Sequence, residues 1–282
     1  MTTREQLTGF VDKFLEALAA NDPSRLPTTA NVRYTENCAT IPLGKGMWRT
    51  ATPFLNKQHF IEFADPASSQ VGYFGVVQEA GKPSILSLRL KAEGDRVSEI
   101  EVLVCRQPDQ TGHPRVFDPE AMQEPKSIFH ESIPEPERCP AEELQRIANL
   151  YLDGVISANG DMIPVADDCI RIENGVQTVL TEARGGEVGR LGVRAQVNTG
   201  VFRDIEAARE RRFPILDVER GLAYVFFFWD HPGPVTGAPF PSRYAQPNSM
   251  PVAELFKIRN RTIVQIEAVL NVFTYGTTSG WA

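Results

Sequence analysis

The chain says nearly the same thing twice. Leu7, Phe14, Leu15, Glu16, Leu18, Pro27, Glu36 and Asn37 each have a like residue 137 positions later: Leu144, Tyr151, Leu152, Asp153, Val155, Pro164, Glu173 and Asn174. The first block reads REQLTGFVDKFLEAL…LPTTANVRYTEN and the second AEELQRIANLYLDGV…IPVADDCIRIEN. One register holds without a gap from residue 4 to residue 37. A match of that length means two copies of one fold, so the architecture follows from one copy. A length of 282 residues agrees, at ~100–200 residues per domain. The expected boundaries are 1–106 for the first copy, 107–140 for a linker and 141–282 for the second.

Leu7, Phe10, Val11, Phe14, Leu15 and Leu18 recur at three-and-four spacing, which predicts an opening helix ended by Asn21-Asp22-Pro23. A short segment, Asn31–Asn37, and a stretch of undecided type at 53–63 follow. Strands are predicted at Gln70–Gln78, Ile85–Lys91 and Val97–Arg106, separated by glycine-containing turns. The second copy repeats this order. It has a helix at Ala141–Ser157, a segment at Ile170–Asn174 and a charged, helix-like run at Asp204–Arg212. An aromatic strand follows at Gly221–Asp230, then strands at Ala253–Arg259 and Thr262–Phe273. An insertion rich in proline and glycine, His231–Pro251, is absent from the first copy. Helices followed by a meander predict an α+β fold, with helices on one face of a curved antiparallel sheet in each copy. Residues 107–140 carry Pro108, Pro114, Pro119, Pro125, Pro134, Pro136 and Pro140, the composition of an inter-domain strap. Val116, Phe117, Ile128, Phe129 and Ile133 predict that it lies on a surface.

Hydrophobic content of 42% and charge of 23% are those of an ordinary globular protein. A net charge of −7 argues against binding nucleic acid. No stretch approaches the ~20 apolar residues of a membrane helix. The N-terminal segment lacks the apolar run of a signal peptide. Four scattered cysteines suggest reduced thiols, so a cytoplasmic location is expected. Nothing fits a nucleotide fingerprint, G-x-S-x-G or H-E-x-x-H. His113 and His130 lack metal-ligand spacing, so neither metal nor cofactor is expected.

The pattern of helix, helix-like segment and a meander ending in a turn, Arg and then Ile-Glu resembles the nuclear-transport-factor-2-like, or SnoaL-like, cone. The strings VRYTEN, QVGYFGVV, FDPEAM…EP, ADDCIRIENG, ERRFPILDVERGL, FFWDHPG, AELFKIRNRTIVQIEAV and a terminal SGW resemble tandem bacterial and fungal proteins of that fold. The resemblance implies two tandem cone-shaped α+β barrels, each a deep apolar pocket with a few inward polar groups. One branch of the superfamily is the diarylpropane lyases of lignin breakdown, which release formaldehyde from a 1,2-diarylpropane-1,3-diol without a cofactor. Similarity to that branch implies a small aromatic substrate. Cones of this fold often pair through their sheets, so a homo-oligomer is expected.

A pocket of this kind shifts pKa values and excludes water, so its chemistry falls to polar residues on apolar elements. Tyr34, Glu36 and Asn37 end the segment after the first helix and could exchange protons; equally, Glu-Asn could simply close a turn. Arg89 and Lys91 share one face of their strand, opposite Leu86, Leu88 and Leu90, and Glu101 opposes Ile100 on the next. Either cation could hold a phenolate, or Arg89 and Glu101 could form a plain cross-strand pair. His59 is a candidate acid or base, with a surface residue as the alternative. Asp230 and His231, with Arg171, Glu173 and Arg212, are the matching set in the second copy, beside a turn at Pro232-Gly233. Trp48, Phe60 and Tyr73 are candidate aryl clamps; core packing is their other role. The first copy, which keeps more charge on its late strands, is the expected reactive one.

Three functions remain open on the sequence. The first is a lyase that loses water and formaldehyde through a quinone methide. Arg89 or Lys91 would hold the phenolate, Tyr34, His59 or Glu101 would act as acid, and Glu36 or Glu101 as base. The second is a dehydratase or isomerase of another hydroxylated or polyketide-like compound. The third is a binding or oligomerisation module without chemistry.

Overall fold

A computed structural model describes residues 2–53, 61–107, 116–123, 126–183 and 185–281. The first unit opens with helix α1 (Arg4–Ala19), started by a capping box in which Thr3 and Gln6 bond each other's backbone. Its buried face is Leu7, Phe10, Val11, Phe14, Leu15 and Leu18, the set read from the spacing. Asn21, in a left-handed conformation, ends the helix and donates to the carbonyls of Trp48 and Ala51 at 3.0 and 2.8 Å. Strands β1 (Thr28–Glu36), β2 (Ala39–Thr40), β3 (Ala51–Thr52), β4 (Ile61–Asp65), β5 (Gln70–Glu79), β6 (Lys82–Glu93) and β7 (Arg96–Arg106) follow. They form one sheet in the order β2-β1-β7-β6-β5-β3, with β4 also on β5.

A strap carrying α2 (Ser127–His130) leads to the second unit. This has α3 (Ala141–Ile156), β8 (Val165–Glu173), β9 (Val176–Gln177), α4 (Gly186–Gly189) and α5 (Val193–Asn198). Strands β10 (Ala207–Asp217), β11 (Leu222–His231), β12 (Asn248–Arg259), β13 (Thr262–Leu270) and β14 (Phe273–Thr274) complete it. The sheet runs β10-β11-β12-β13-β8-β9, with β14 on β12. The expected architecture holds: two tandem α+β cones, each with helices packed in a curled sheet.

Two expectations need correction. Each sheet is mixed, because β1 pairs parallel to β7 and β8 parallel to β13. The meander and the short hairpins β1–β2 and β8–β9 are antiparallel; the long strand before each meander runs parallel to the meander's last long strand. The run Asp204–Arg212 is not helical; most of it lies in β10. Its arginines serve both faces of an edge strand, which hides the two-residue period. Arg211 bonds Asp153 of α3 at 2.8 Å, whereas Arg212 bonds Glu101 of the first unit at 2.5 Å. Glu210, at φ 53°, sits where the register shifts.

The two sheets pack back to back. Phe63, Phe74, Ile85 and Leu103 of the first meet Tyr224, Phe226, Phe228 and Leu255 of the second, with Met122 and Phe129 of the strap in the same cluster. The strap therefore lies on protein, as its apolar residues suggested. It crosses the turn after β8, where Asp118 donates its amide to the Asn174 carbonyl at 2.8 Å. Gly175 is required there: at φ 83°, an added Cβ would lie 1.9 Å from the Asp118 carbonyl oxygen.

Candidate functional site

The inner face of each sheet is the wall of a cup, and strand alternation decides which side chains reach it. On β11, Ala223, Val225, Phe227, Trp229 and His231 face the second cup, while Tyr224, Phe226, Phe228 and Asp230 face the other way. On β12, Met250, Val252, Glu254 and Phe256 face inward. The second cup encloses a cavity of about 540 Å³. Its walls are mainly apolar, and its polar members are Tyr151, Arg171, Glu173, Thr178, Gln196, His231 and Glu254, with Arg243 and Tyr244 from the insertion.

Arg171, buried on β8, is held from every side. Its Nε donates to Thr178 at 3.0 Å and pairs with Glu173 at 3.0 Å. Its Nη1 donates to the Tyr151 hydroxyl at 3.4 Å, and its Nη2 to Gln196. Glu254 is different. It is buried, and its Oε2 has no hydrogen-bond partner among the described residues. Burial, aided by the Glu173 charge and opposed by Arg171, pushes its pKa up to about 8. It therefore holds a proton at neutral pH and can give it away. His231 is also buried, and neither ring nitrogen has a hydrogen-bond partner among the described residues. Asn248 faces it across the ladder, close enough to favour its protonation but outside hydrogen-bonding geometry. Burial and the nearby Arg243 lower its pKa to about 4, against the pull of Asp204 and Asp230. The ring is therefore neutral and can accept a proton. It packs edge-on to Tyr244, with ring centroids 4.4 Å apart. An acid and a base with displaced pKa values thus share one apolar cavity.

The internal repeat shows what is special about this cup. Aligning Ile100-Glu101 of β7 with Ile266-Glu267 of β13 makes Leu88, paired with Val102, the counterpart of Glu254, paired with Ala268. By the same register Glu79 corresponds to His231 and Tyr73 to Val225. The first cup has a leucine where the second has its unpartnered carboxyl.

Each unit is a cone of one curled, mixed sheet around its helices, the architecture implied by the resemblance to the nuclear-transport-factor-2-like, or SnoaL-like, proteins. Residues 137–270 match a family described as a domain of unknown function, DUF8021. No curated protein matches the sequence. Solved structures that resemble it include a SnoaL-like polyketide cyclase from Agrobacterium tumefaciens, at 18% identity and a TM-score of 0.29, covering 45% of this chain and 91% of that one. A candidate polyketide cyclase from Xanthomonas campestris has 12% identity and a TM-score of 0.34, covering 46% and 92%. An NTF-2-like protein of unknown function from Burkholderia xenovorans has 13% identity and a TM-score of 0.29, covering 50% and 90%. Likenesses this distant carry no argument about chemistry, and the fold assignment stands on the two sheets themselves. Among the described residues, no helix is long and apolar enough to cross a membrane, and no group of three or more His, Cys, Asp or Glu could hold a metal ion.

The residues nominated from the sequence are scattered over several environments. Tyr34 and Glu36 lie in the first unit as part of a closed polar network. The Tyr34 hydroxyl donates to Glu36 at 2.8 Å, the Met47 amide donates to the same oxygen at 2.7 Å, and Arg106 bridges Glu36 and Glu79. Asn37 takes the turn role: its Oδ1 accepts the Val104 amide at 2.8 Å, as Asn174 accepts that of Leu270 at 3.0 Å. Both asparagines are left-handed, so the repeated Glu-Asn pair records a turn. Trp48 and Tyr73 are not cavity walls but core, 1% and 2% exposed. Trp48 packs edge-on to Phe14, and Tyr73 belongs to the same core cluster. Bulky side chains pointing into a cup pack against its helix when nothing else fills the space.

Arg89, Lys91 and Glu101 lie on the back of the first sheet. Arg89 pairs with Glu101 and Glu99, both at 2.7 Å, and Lys91 pairs with Glu99 at 3.2 Å. Glu101 also takes Arg212 across the interface. Glu101 thus ties the two units together, and none of these residues lines the cavity. Asp230 faces the same way and is held by Arg209 and by Ser249 at 2.5 Å. His59 and Phe60 lie outside the described residues. The nominees that do line the cavity are His231, Arg171 and Glu173. Sequence reasoning missed Glu254, Tyr151, Gln196 and Arg243. Glu254 had a signal, since it is the lone acid among Val252, Ala253, Leu255 and Phe256. The other three had none, because helix periodicity and loop composition do not mark a cavity wall.

Proposed function

We propose that the second cup binds a small, largely apolar molecule bearing oxygen substituents and moves protons on it. Glu254 acts as the acid and neutral His231 as the base. The observation that carries this reading is Glu254: a carboxyl with an unpartnered oxygen facing an apolar cavity, at a position that is Leu88 in the other copy. A buried carboxyl without a partner is costly to keep, and functional sites are where such costs persist. The chemistry is of the cyclase, isomerase, dehydratase or lyase kind, in which protons are placed and removed beside a carbonyl, enol or hydroxyl.

The formaldehyde-releasing cleavage of a 1,2-diarylpropane-1,3-diol is one reaction of this kind. Glu254 would protonate the benzylic hydroxyl, which leaves as water. His231 would take the proton of the primary alcohol, and the carbon–carbon bond would break to give formaldehyde and a stilbene. Purified protein should be incubated with such diols, following formaldehyde and stilbene absorbance. In parallel, hydroxylated aryl ketones in D₂O should be followed by NMR for exchange of the α-proton. Glu254→Gln keeps the shape and removes the acid, and should lower whichever activity is found by ~10²–10⁴-fold. Full turnover in the variant would overturn the assignment. A wild-type protein inert on the diols but active in exchange would retire the lyase alone.

A further inference from the structure

Arg243 lies on the insertion that only the second copy carries, and it lines the cavity. It is held there by Asp204, which is buried. The Arg243 amide donates to Asp204 Oδ2 at 3.0 Å, Nε to the same oxygen at 3.0 Å and Nη2 to Oδ1 at 2.6 Å. The guanidinium lies 5.1 Å from the Phe202 ring and 5.9 Å from that of Tyr244. Its third nitrogen, Nη1, makes no hydrogen bond to a described residue. The other cavity arginine, Arg171, has all three nitrogens engaged by Thr178, Glu173, Tyr151 and Gln196. Glu173 is tied to Arg171, and Glu254 is uncharged at neutral pH. The cavity wall therefore presents one guanidinium N–H donor without a hydrogen bond to a described residue, on an arginine oriented by its ion pair with Asp204.

We propose that Arg243 is the specificity residue of this cup, recognising an acidic oxygen group on the bound molecule, a carboxylate or an ionised enol or phenol. Asp204 is a positioning residue that fixes the guanidinium and leaves Nη1 pointing to the ligand. The inference rests on the second cup being a binding site for small molecules, and it adds the charge of what is bound. Arginine suits the task because its planar fork can bond a holder and a ligand at once.

The test is calorimetric titration at pH 7 with 2-naphthoic acid, ionised at that pH, and its neutral methyl ester. Wild type should bind the acid about 10–100-fold more tightly than the ester, the range of one charge-assisted hydrogen bond. Arg243→Met alone leaves Asp204 buried and unpaired, so the variant to rely on is Arg243→Met with Asp204→Asn, its fold checked by circular dichroism. There the preference should vanish while ester affinity stays within a few-fold. Arg243→Lys should recover only part of it. Equal binding of acid and ester by wild type overturns the proposal and leaves the cavity a binding site. So does a preference that survives in the double variant. Failure of both probes to bind at millimolar concentration overturns the proposal and the binding-site reading together.

Discussion

Two deeply buried glutamates contribute a pH dependence of stability whose sign is unusual for carboxylates, and Glu62, whose pKa burial raises to about 7, acts in the same direction. Glu254 faces the cavity; Glu267, on the opposite face of β13, is 0% exposed with neither oxygen partnered among the described residues. Burial pushes each pKa up to about 8, with Lys126 opposing it at Glu267. Below the ordinary value of 4.5 both states are protonated and nothing is lost. Between there and about 8 the unfolded chain releases these protons while the folded chain keeps them. Stability therefore falls as pH rises through that window and levels off above it. A salt-bridged carboxylate does the reverse. Urea unfolding from pH 5 to 9 should show the decline. Glu267→Gln should flatten it and add up to several kcal/mol at pH 9, since each tenfold difference in proton affinity between the folded and unfolded chain is worth about 1.4 kcal/mol. Unchanged pH dependence in the variant would mean that Glu267 ionises freely in the folded protein.

The strands differ in how much of themselves they disclose. On β6 and β7 the alternation was legible: leucines went to the helix and Arg89, Glu99 and Glu101 to the far side, where Glu101 meets Arg212 of the second unit. On β10 it was not, because Arg209, Arg211 and Arg212 find acids on both sides of an edge strand around the bulge at Glu210. Glu254 was legible in the same terms as Leu88, as an inward position on an inner strand. The cavity itself was not, because its walls come from β8, β11, β12, β13, the helices and the insertion, which no single stretch of sequence brings together. The β6–β7–β10 junction gives an element-scale prediction. Glu101 is 4% exposed and accepts from Arg89 at 2.7 Å and from Arg212 at 3.2 and 2.5 Å. Glu101→Gln leaves Arg212 without its anion and Arg89 with Glu99 alone, and should cost about 3–5 kcal/mol in urea unfolding. The cavity ligand should bind with unchanged affinity, because none of these groups lines the cup. A loss of binding at equal stability would give the junction a role in the site.

At the scale of the whole chain, duplication has changed what the backs of the sheets are for. Cones that pair through their sheets need a second molecule; here the second cone follows in the same chain. Phe226, Phe228, Tyr224 and Leu255 are covered by Phe63, Phe74, Ile85 and Leu103, and the strap adds Met122 and Phe129. Polar ties reinforce the contact: Arg4 pairs with Asp217 at 2.5 Å and Gln70 donates to the Pro214 carbonyl at 2.6 Å. The C-terminal segment returns to the first unit, where Trp281 lies against Arg33 and Arg89 at 4.4 and 4.6 Å and donates to Thr35 at 2.8 Å. The sheet-pairing face that led to the expectation of a homo-oligomer is thus already used within one chain. Light scattering should find the full chain monomeric. The second unit expressed alone, from residue 137 onward, would expose the aromatic back of β11, a patch of the kind that drives association. It should self-associate, and adding the first unit should convert it to a one-to-one complex. A full chain that dimerises while the isolated half stays monomeric would place the oligomeric contact on another face and show that the inter-sheet cluster contributes little to assembly.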